Sequence, residues 1–152
     1  MSGIIVGVDG SGHSQRALEW AAREAAVRGT PLTVLTVRQA IAGWTGTPIV
    51  YPVTGGPSLE DTRQQAQGET DKVLEALGSQ RPAEVAVRAI DGFPADELLR
   101  AAEDAEMIVV GSRGNGGFAR LLLGSVSTQL THHAKCPVVV IPADNGHQSA
   151  AS

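Results

Sequence analysis

The sequence predicts an α/β protein: a doubly wound, five-stranded parallel sheet flanked by helices on both faces, an open α/β sandwich. Two observations carry this. Five short runs rich in β-branched residues punctuate the chain, at 4–9 (IIVGVD), 32–38 (LTVLTVR), 84–90 (EVAVRAI), 106–111 (EMIVVG) and 136–142 (CPVVVIP); most are near-continuously apolar, which marks strands buried on both faces. Segments of helical period separate them, and strand–helix alternation with right-handed crossovers builds a parallel sheet. In such sheets ligands sit beyond the carboxyl ends of the strands, where the winding reverses. The turns after Val8 and after Val110 look specialised, so the first and fourth strands are expected to be neighbours there.

Each element has a local reason. The turn GSGHS follows the first strand, and Ser14 can cap the helix QRALEWAAREAAVRG, which sets Ala17, Leu18, Ala21, Ala22 and Ala25 on one stripe and ends at Gly29. After the second strand, residues 39–57 hold three prolines and four glycines and read as a long loop. Ser58 opens a capping box with Asp61 in place of glutamate. A polar helix then runs to about Gly78, with Val73, Leu74 and Leu77 inward near its end. DGFP reads as a turn after the third strand, with Pro94 suited to a first helical turn. ADELLRAAEDA is a short amphipathic helix, and another helix spans 125–133. Residues 1–142 read as one domain and 143–152 as a disordered tail.

The 152 residues are 42% hydrophobic and 18% charged, a globular balance. With 12 basic against 16 acidic residues, net −4, broad binding to nucleic acid or anionic membrane is disfavoured. The single cysteine, Cys136, allows no internal disulfide and fits a reducing compartment. The start MSGIIVGVDG lacks the pattern of a secretory signal, and no segment is long enough to span a bilayer, so a soluble cytoplasmic protein is expected.

The window 109–128 (VVGSRGNGGFARLLLGSVST) holds five glycines, two arginines and no acid. It is not a P-loop: Gly111 and Gly116 have the right separation, but Gly117 and Phe118 stand where lysine and a hydroxyl belong. The first turn is not a dinucleotide fingerprint either, because Gln15 takes the place of its last glycine. What the window does contain is Gly111, two residues, Gly114, nine residues, then Gly124-Ser125. Glycines without Cβ let backbone N–H groups close on an anion. Gly124-Ser125 enters a helix whose first amides point outward unpaired, and Ser125, Ser127 and Thr128 can add hydroxyls. Arg113, Arg120 and Lys135 make this a focused basic segment on an acidic body, which attracts a small anion over a polyanion.

That spacing, with IIVGVDGS at the start, D-G-x-P at 91–94 and CPVVVIP at the end, resembles the universal stress protein family of the nucleotide-binding kind over nearly the whole chain. The resemblance implies a fold like that of the adenine nucleotide α-hydrolases and ATP, with or without Mg²⁺, as the ligand. It also implies roles residue by residue. Asp9 would accept from ribose hydroxyls, the backbone at Val37 would meet the adenine edge, and Gly92 would lie in a turn bordering the nucleotide. Gly111, Arg113, Gly114, Gly124, Ser125, Val126 and Ser127 would surround the phosphates. A two-fold homodimer would form by antiparallel pairing of the strand from Pro137 to Ile141, an apolar edge that is an aggregation hazard unless covered or paired.

Plainer roles stand beside these. Asp9 could make an Asx-turn or serve as a helix-start acid, and Gly92 could simply permit a positive φ. His132, His133 and Cys136 are not assigned as metal ligands, since adjacent histidines at a helix end point apart and no second cluster exists. The histidines are read as cations at a helix C-terminus and Cys136 as a small buried residue. His13 with Ser11 or Ser14 makes no triad, as only Asp9 could orient it. Trp44 and Tyr51, in the long loop, could cover a base or a partner. Three functions remain open. The preferred one is a stress-response or signalling module that holds ATP with slow or no hydrolysis. An ATP-hydrolysing enzyme is disfavoured because 111–135 contains no acid to orient water. The third is a scaffold dimer in which the nucleotide is incidental. No catalytic residue is assigned.

Overall fold

The computed structural model describes residues 3–39, 41–42, 48–49, 58–112 and 124–142. In chain order these form β1 (Ile4–Val8), α1 (Gly12–Arg28), β2 (Leu32–Gln39), β3 (Ile41–Ala42), β4 (Pro48–Ile49), α2 (Leu59–Leu77), β5 (Val85–Gly92), α3 (Pro94–Ala101), β6 (Met107–Gly111), α4 (Ser125–His133) and β7 (Val138–Ile141). Five strands make one parallel sheet in the order β5-β2-β1-β6-β7. The chain winds outward from β1 through β2 to β5, then returns to the other side of β1 with β6 and β7. The doubly wound α/β fold is therefore observed, and its winding reverses between β1 and β6.

Side chains alternate across the sheet because strand residues point to opposite faces in turn. Ile4, Val6, Val8, Val34 and Val109 pack with Leu18 and the fully buried Ala17, Ala21, Ala22 and Ala25 of α1 and with Val73 of α2. Ile5, Leu35, Ile108 and Val110 pack on the opposite face with Leu98 of α3 and Leu130 of α4. Both faces are covered, which is why the central strands read as almost unbroken apolar runs.

Three local expectations are corrected. The cap of α1 is Ser11, whose hydroxyl accepts the Ser14 amide at 3.2 Å. Ser14 lies buried inside the first turn, its own hydroxyl donating to the Ser11 carbonyl at 3.0 Å and accepting the Asp9 amide at 3.2 Å. The loop after β2 carries a small antiparallel ladder, Ile41 opposite Ile49 and Ala42 opposite Pro48. Asp91 and Gly92 do not turn; they extend β5 alongside Arg38 and Gln39 of β2. The reason is a charged fork: Arg38 donates Nε to Asp91 Oδ1 at 2.5 Å and Nη2 to Oδ2 at 2.9 Å, and such bidentate pairs hold planar geometry well. The capping box of α2, Ser58 with Asp61, forms as its sequence implies.

Candidate functional site

The carboxyl edge of the sheet collects most of the candidate residues. Val37 lies near the end of β2, Asp9 follows β1, and Gly111 ends β6. These three strands are consecutive, so the row from β2 to β6 spans two strand spacings, about 10 Å. The β1–β6 ladder runs only from Ile4–Met107 to Val6–Val109 and stops two residues short of both strand ends. Such a point, where neighbouring strands turn to opposite faces, opens the crevice of a doubly wound sheet.

The two ends of the glycine-rich window meet at this crevice. The Ser112 amide donates to Ile141 of β7 at 2.9 Å, and the Ser112 carbonyl accepts the Gly124 amide at 2.5 Å. Gly124 is the N-cap of α4 and has an extended backbone, φ −72° and ψ 169°. Arg113 and Gly114 lie outside the described residues. Ser125 is exposed. Val126 is half-buried, with its side chain packed into the core beneath α4, so only its amide faces the helix end. Ser127 is buried and its hydroxyl donates back to the Gly124 carbonyl at 3.0 Å.

Side-chain capping and first-turn charge together separate α4 from α1, α2 and α3, each of which has at least one of the two. Ser11 caps α1. A full capping box closes α2, with Glu60 and Asp61 in its first turn. Asp96 and Glu97 sit in the first turn of α3, where negative charge complements the helix dipole. The start of α4 has neither a side-chain cap nor an acid in its first turn. Among the described residues no side chain caps its first amides, which carry the partial positive charge that recruits anions.

One Asp9 carboxylate oxygen accepts the Ser11 amide at 2.9 Å, an Asx-turn that shapes the loop. A carboxylate offers about four acceptor sites, so this contact is compatible with further donors. Gly92 lies on the edge strand, with β2 and β1 between it and β6. Its φ is +156°, a backbone that other residues rarely adopt, and a Cβ there would come within 2.8 Å of the Glu97 side chain, so the plainer role expected for this glycine is observed.

Three neighbours escaped sequence reasoning. Ser112 matters through its backbone, which leaves no side-chain signature. Gln65 Nε2 lies 3.5 Å from the position a Cβ would take at Gly10. Glu69 follows one turn later on α2 and interacts electrostatically with Asp9. On a polar helix, such residues cannot be told from a solvent face.

Burial pushes the Glu69 carboxyl upward, the Asp9 charge pushes it further, and Lys72 opposes both. The folded form thus binds a proton more tightly than the unfolded chain. That contribution is fully present below the ordinary carboxylate value of about 4.3 and is lost as pH rises through the raised folded value. Glu69→Gln is accordingly expected to match the parent protein in melting temperature near pH 3.5 and to exceed it by on the order of 1 °C at pH 7. Thermal melts by circular dichroism across that range check the trend; a gap that closes toward neutral pH contradicts it.

A family model described as the universal stress protein family matches residues 1–142. A universal stress protein of Mycobacterium tuberculosis (strain ATCC 25618 / H37Rv) is 42% identical over 145 residues, which cover 94% of this chain and 48% of that protein. The chain thus spans less than half the length of that relative. Among solved structures, a universal stress protein in complex with cAMP aligns at 25% identity with a TM-score of 0.66, covering 92% of this chain and 95% of its own. A universal stress protein from Archaeoglobus fulgidus in complex with dAMP aligns at 25% identity with a TM-score of 0.56, covering 93% and 98%. Fold and site together define a doubly wound α/β protein with an uncapped helix at its switch point. The chain belongs to the universal stress protein family.

Proposed function

We propose that the protein is a stress-response or signalling module that holds an adenine nucleotide at the carboxyl edge of its sheet. The base lies at the end of β2, the ribose at Asp9 and the phosphates at the start of α4. The observation that carries this reading is the uncapped, acid-free N-terminus of α4, tied to β6 through the Ser112–Gly124 hydrogen bond. The complexes of two family members with cAMP and dAMP support the adenine choice. Among adenine nucleotides we favour ATP, alone or with Mg²⁺, because the basic residues of the 111–135 segment suit several phosphates better than one. That segment has no acid to orient water, so the nucleotide is held with slow or no turnover, and multiple turnovers on the order of 1 per second would instead favour an enzyme.

Homodimerisation through β7 belongs to the same reading. All four residues of β7 are half-buried, and the strand ends the sheet on its side, the position where an apolar strand is safest when paired with a copy of itself.

Two measurements test the proposal. Denaturing the purified protein and chromatographing the supernatant is expected to release an adenine nucleotide. Calorimetry on the emptied protein is expected to show saturable ATP binding. An empty preparation that also gives no heat with ATP, AMP or cAMP overturns the assignment.

A further inference from the structure

Away from the start of α4, its other end and α3 border a cleft of about 350 Å³. Residues three and four apart share a helix face, so Asp96, Leu99 and Arg100 of α3 present one wall, and Glu103 extends it in the turn that follows. His133, the last residue of α4, and Lys135 belong to the facing wall. Half-buried Leu99, packed on the core, gives the cleft an apolar floor beside Ala134. Arg100 is engaged by its own helix: its Nη1 donates to both carboxylate oxygens of Glu97, at 2.9 and 3.1 Å. Among the described residues, Asp96, Glu103, His133 and Lys135 make no ion pair, with one another or with any other group. Acids on one wall therefore face bases on the other across an open gap.

We propose that this cleft is a ligand site for a small zwitterion, an amino acid or dipeptide with both termini free, whose ammonium group meets Asp96 and Glu103 and whose carboxylate meets His133 and Lys135. The inference is independent of the nucleotide reading, since the length of α4, on the order of 12 Å, separates His133 from the helix start. A simple anion or cation gains at one wall and is repelled at the other, whereas a zwitterion aligned across the gap gains at both. The volume lies at the lower end of the range for small-molecule sites. Leu99 supplies apolar contact for an aliphatic side chain. Because the charged groups are exposed, each wall contributes up to about 1 kcal/mol, and salt weakens both.

The probe is the dipeptide alanyl-leucine, titrated at low salt into the ¹⁵N-labelled whole chain and followed by amide chemical shifts. Saturable shifts are expected at residues 96–103 and 133–135, with Kd of about 1 mM. N-acetylation or C-amidation of the dipeptide is expected to weaken binding about fivefold each. The double variant Asp96→Asn with Glu103→Gln is expected to weaken the free and the amidated dipeptide about fivefold and to leave the acetylated one unchanged. Lys135→Gln is expected to do the converse, sparing only the amidated form. Glu75→Gln removes an exposed acid of α2 and is expected to change nothing. All these positions are exposed, and thermal melts confirm that each variant is folded. The site is overturned if no shift appears in the cleft at about 20 mM dipeptide. It is equally overturned if the doubly blocked dipeptide binds as tightly as the free one, or if Glu75→Gln weakens binding as much as the wall variants do.

Discussion

Gly124→Asp is expected to make the protein more stable and, at the same time, to abolish nucleotide binding. The backbone is already set for a capping carboxylate. Gly124 has φ −72° and ψ 169°, and Ser58, which caps α2 with φ −73° and ψ 169°, accepts the amide three residues on at 3.0 Å. An aspartate at position 124 therefore reaches the Ser127 amide without backbone strain. The cap is worth a few tenths of a kcal/mol over glycine, and the charge at the dipole adds about 0.3–1 kcal/mol. In a chain of this size that raises the melting temperature by about 1–4 °C. On the proposed reading, the same carboxylate occupies the donors assigned to phosphate and places a like charge beside it. Affinity for ATP is expected to fall by at least about 100-fold, or roughly 2.7 kcal/mol. Gly124→Ala adds a methyl without charge and is expected to weaken binding by no more than about tenfold. Calorimetry and scanning melts on the two variants read both effects. Should Gly124→Asp bind ATP within about threefold of the parent, α4 does not hold the phosphates.

The opposite signs expected for stability and binding in that variant reflect how the sequence encodes the proposed site. The strands were legible because burial on two faces demands unbroken apolar runs, as in the IIVGV of β1 and the MIVVG of β6. The neighbourhood of these two strands was legible only indirectly, from the rule that specialised turns gather at a switch point. The α1 cap was misassigned because Ser11 and Ser14 are both competent caps. Asp9 settles the matter by drawing the Ser11 amide into an Asx-turn, so that the helix begins at Gly12. DGFP carries turn chemistry, yet the fork between Arg38 and Asp91 draws two of its residues into β5. A pairing between residues so distant in the chain leaves no local trace. The same holds for Gln65 and Glu69, whose relation to the Asp9 turn depends on how α2 lies across the sheet.

Leu98→Ala is expected to cost about 3 kcal/mol, and Gly7→Ala to change sign in its presence. Leu98 is buried at 4% exposure and belongs to the core cluster between the sheet and α3. It sits over the middle of β1, where a Cβ on Gly7 would lie 3.1 Å from both Leu98 δ-carbons and 3.3 Å from Val110 Cγ1. The glycine thus makes a socket for the leucine at the centre of the sheet. Removing the leucine leaves a cavity that a packed sheet closes only in part, and chemical denaturation is expected to show a loss in the range of about 2–5 kcal/mol. Adding a methyl at Gly7 in the parent protein overfills the socket and is expected to cost about 1–3 kcal/mol. In the Leu98→Ala background the same methyl enters vacated space and relieves the entropic penalty of glycine in a strand, a gain of about 0.5 kcal/mol. The coupling between the two sites is therefore at least about 1.5 kcal/mol, measurable as a double-mutant cycle of denaturation free energies. Additive effects would mean that α3 docks on β1 without this socket. The packing also reaches the proposed site, because α3 and α4 share the Leu98 cluster through Leu130 and Val126. Val126 stands two residues from Gly124, so on the proposed reading Leu98→Ala is also expected to weaken nucleotide binding, which calorimetry on that variant checks.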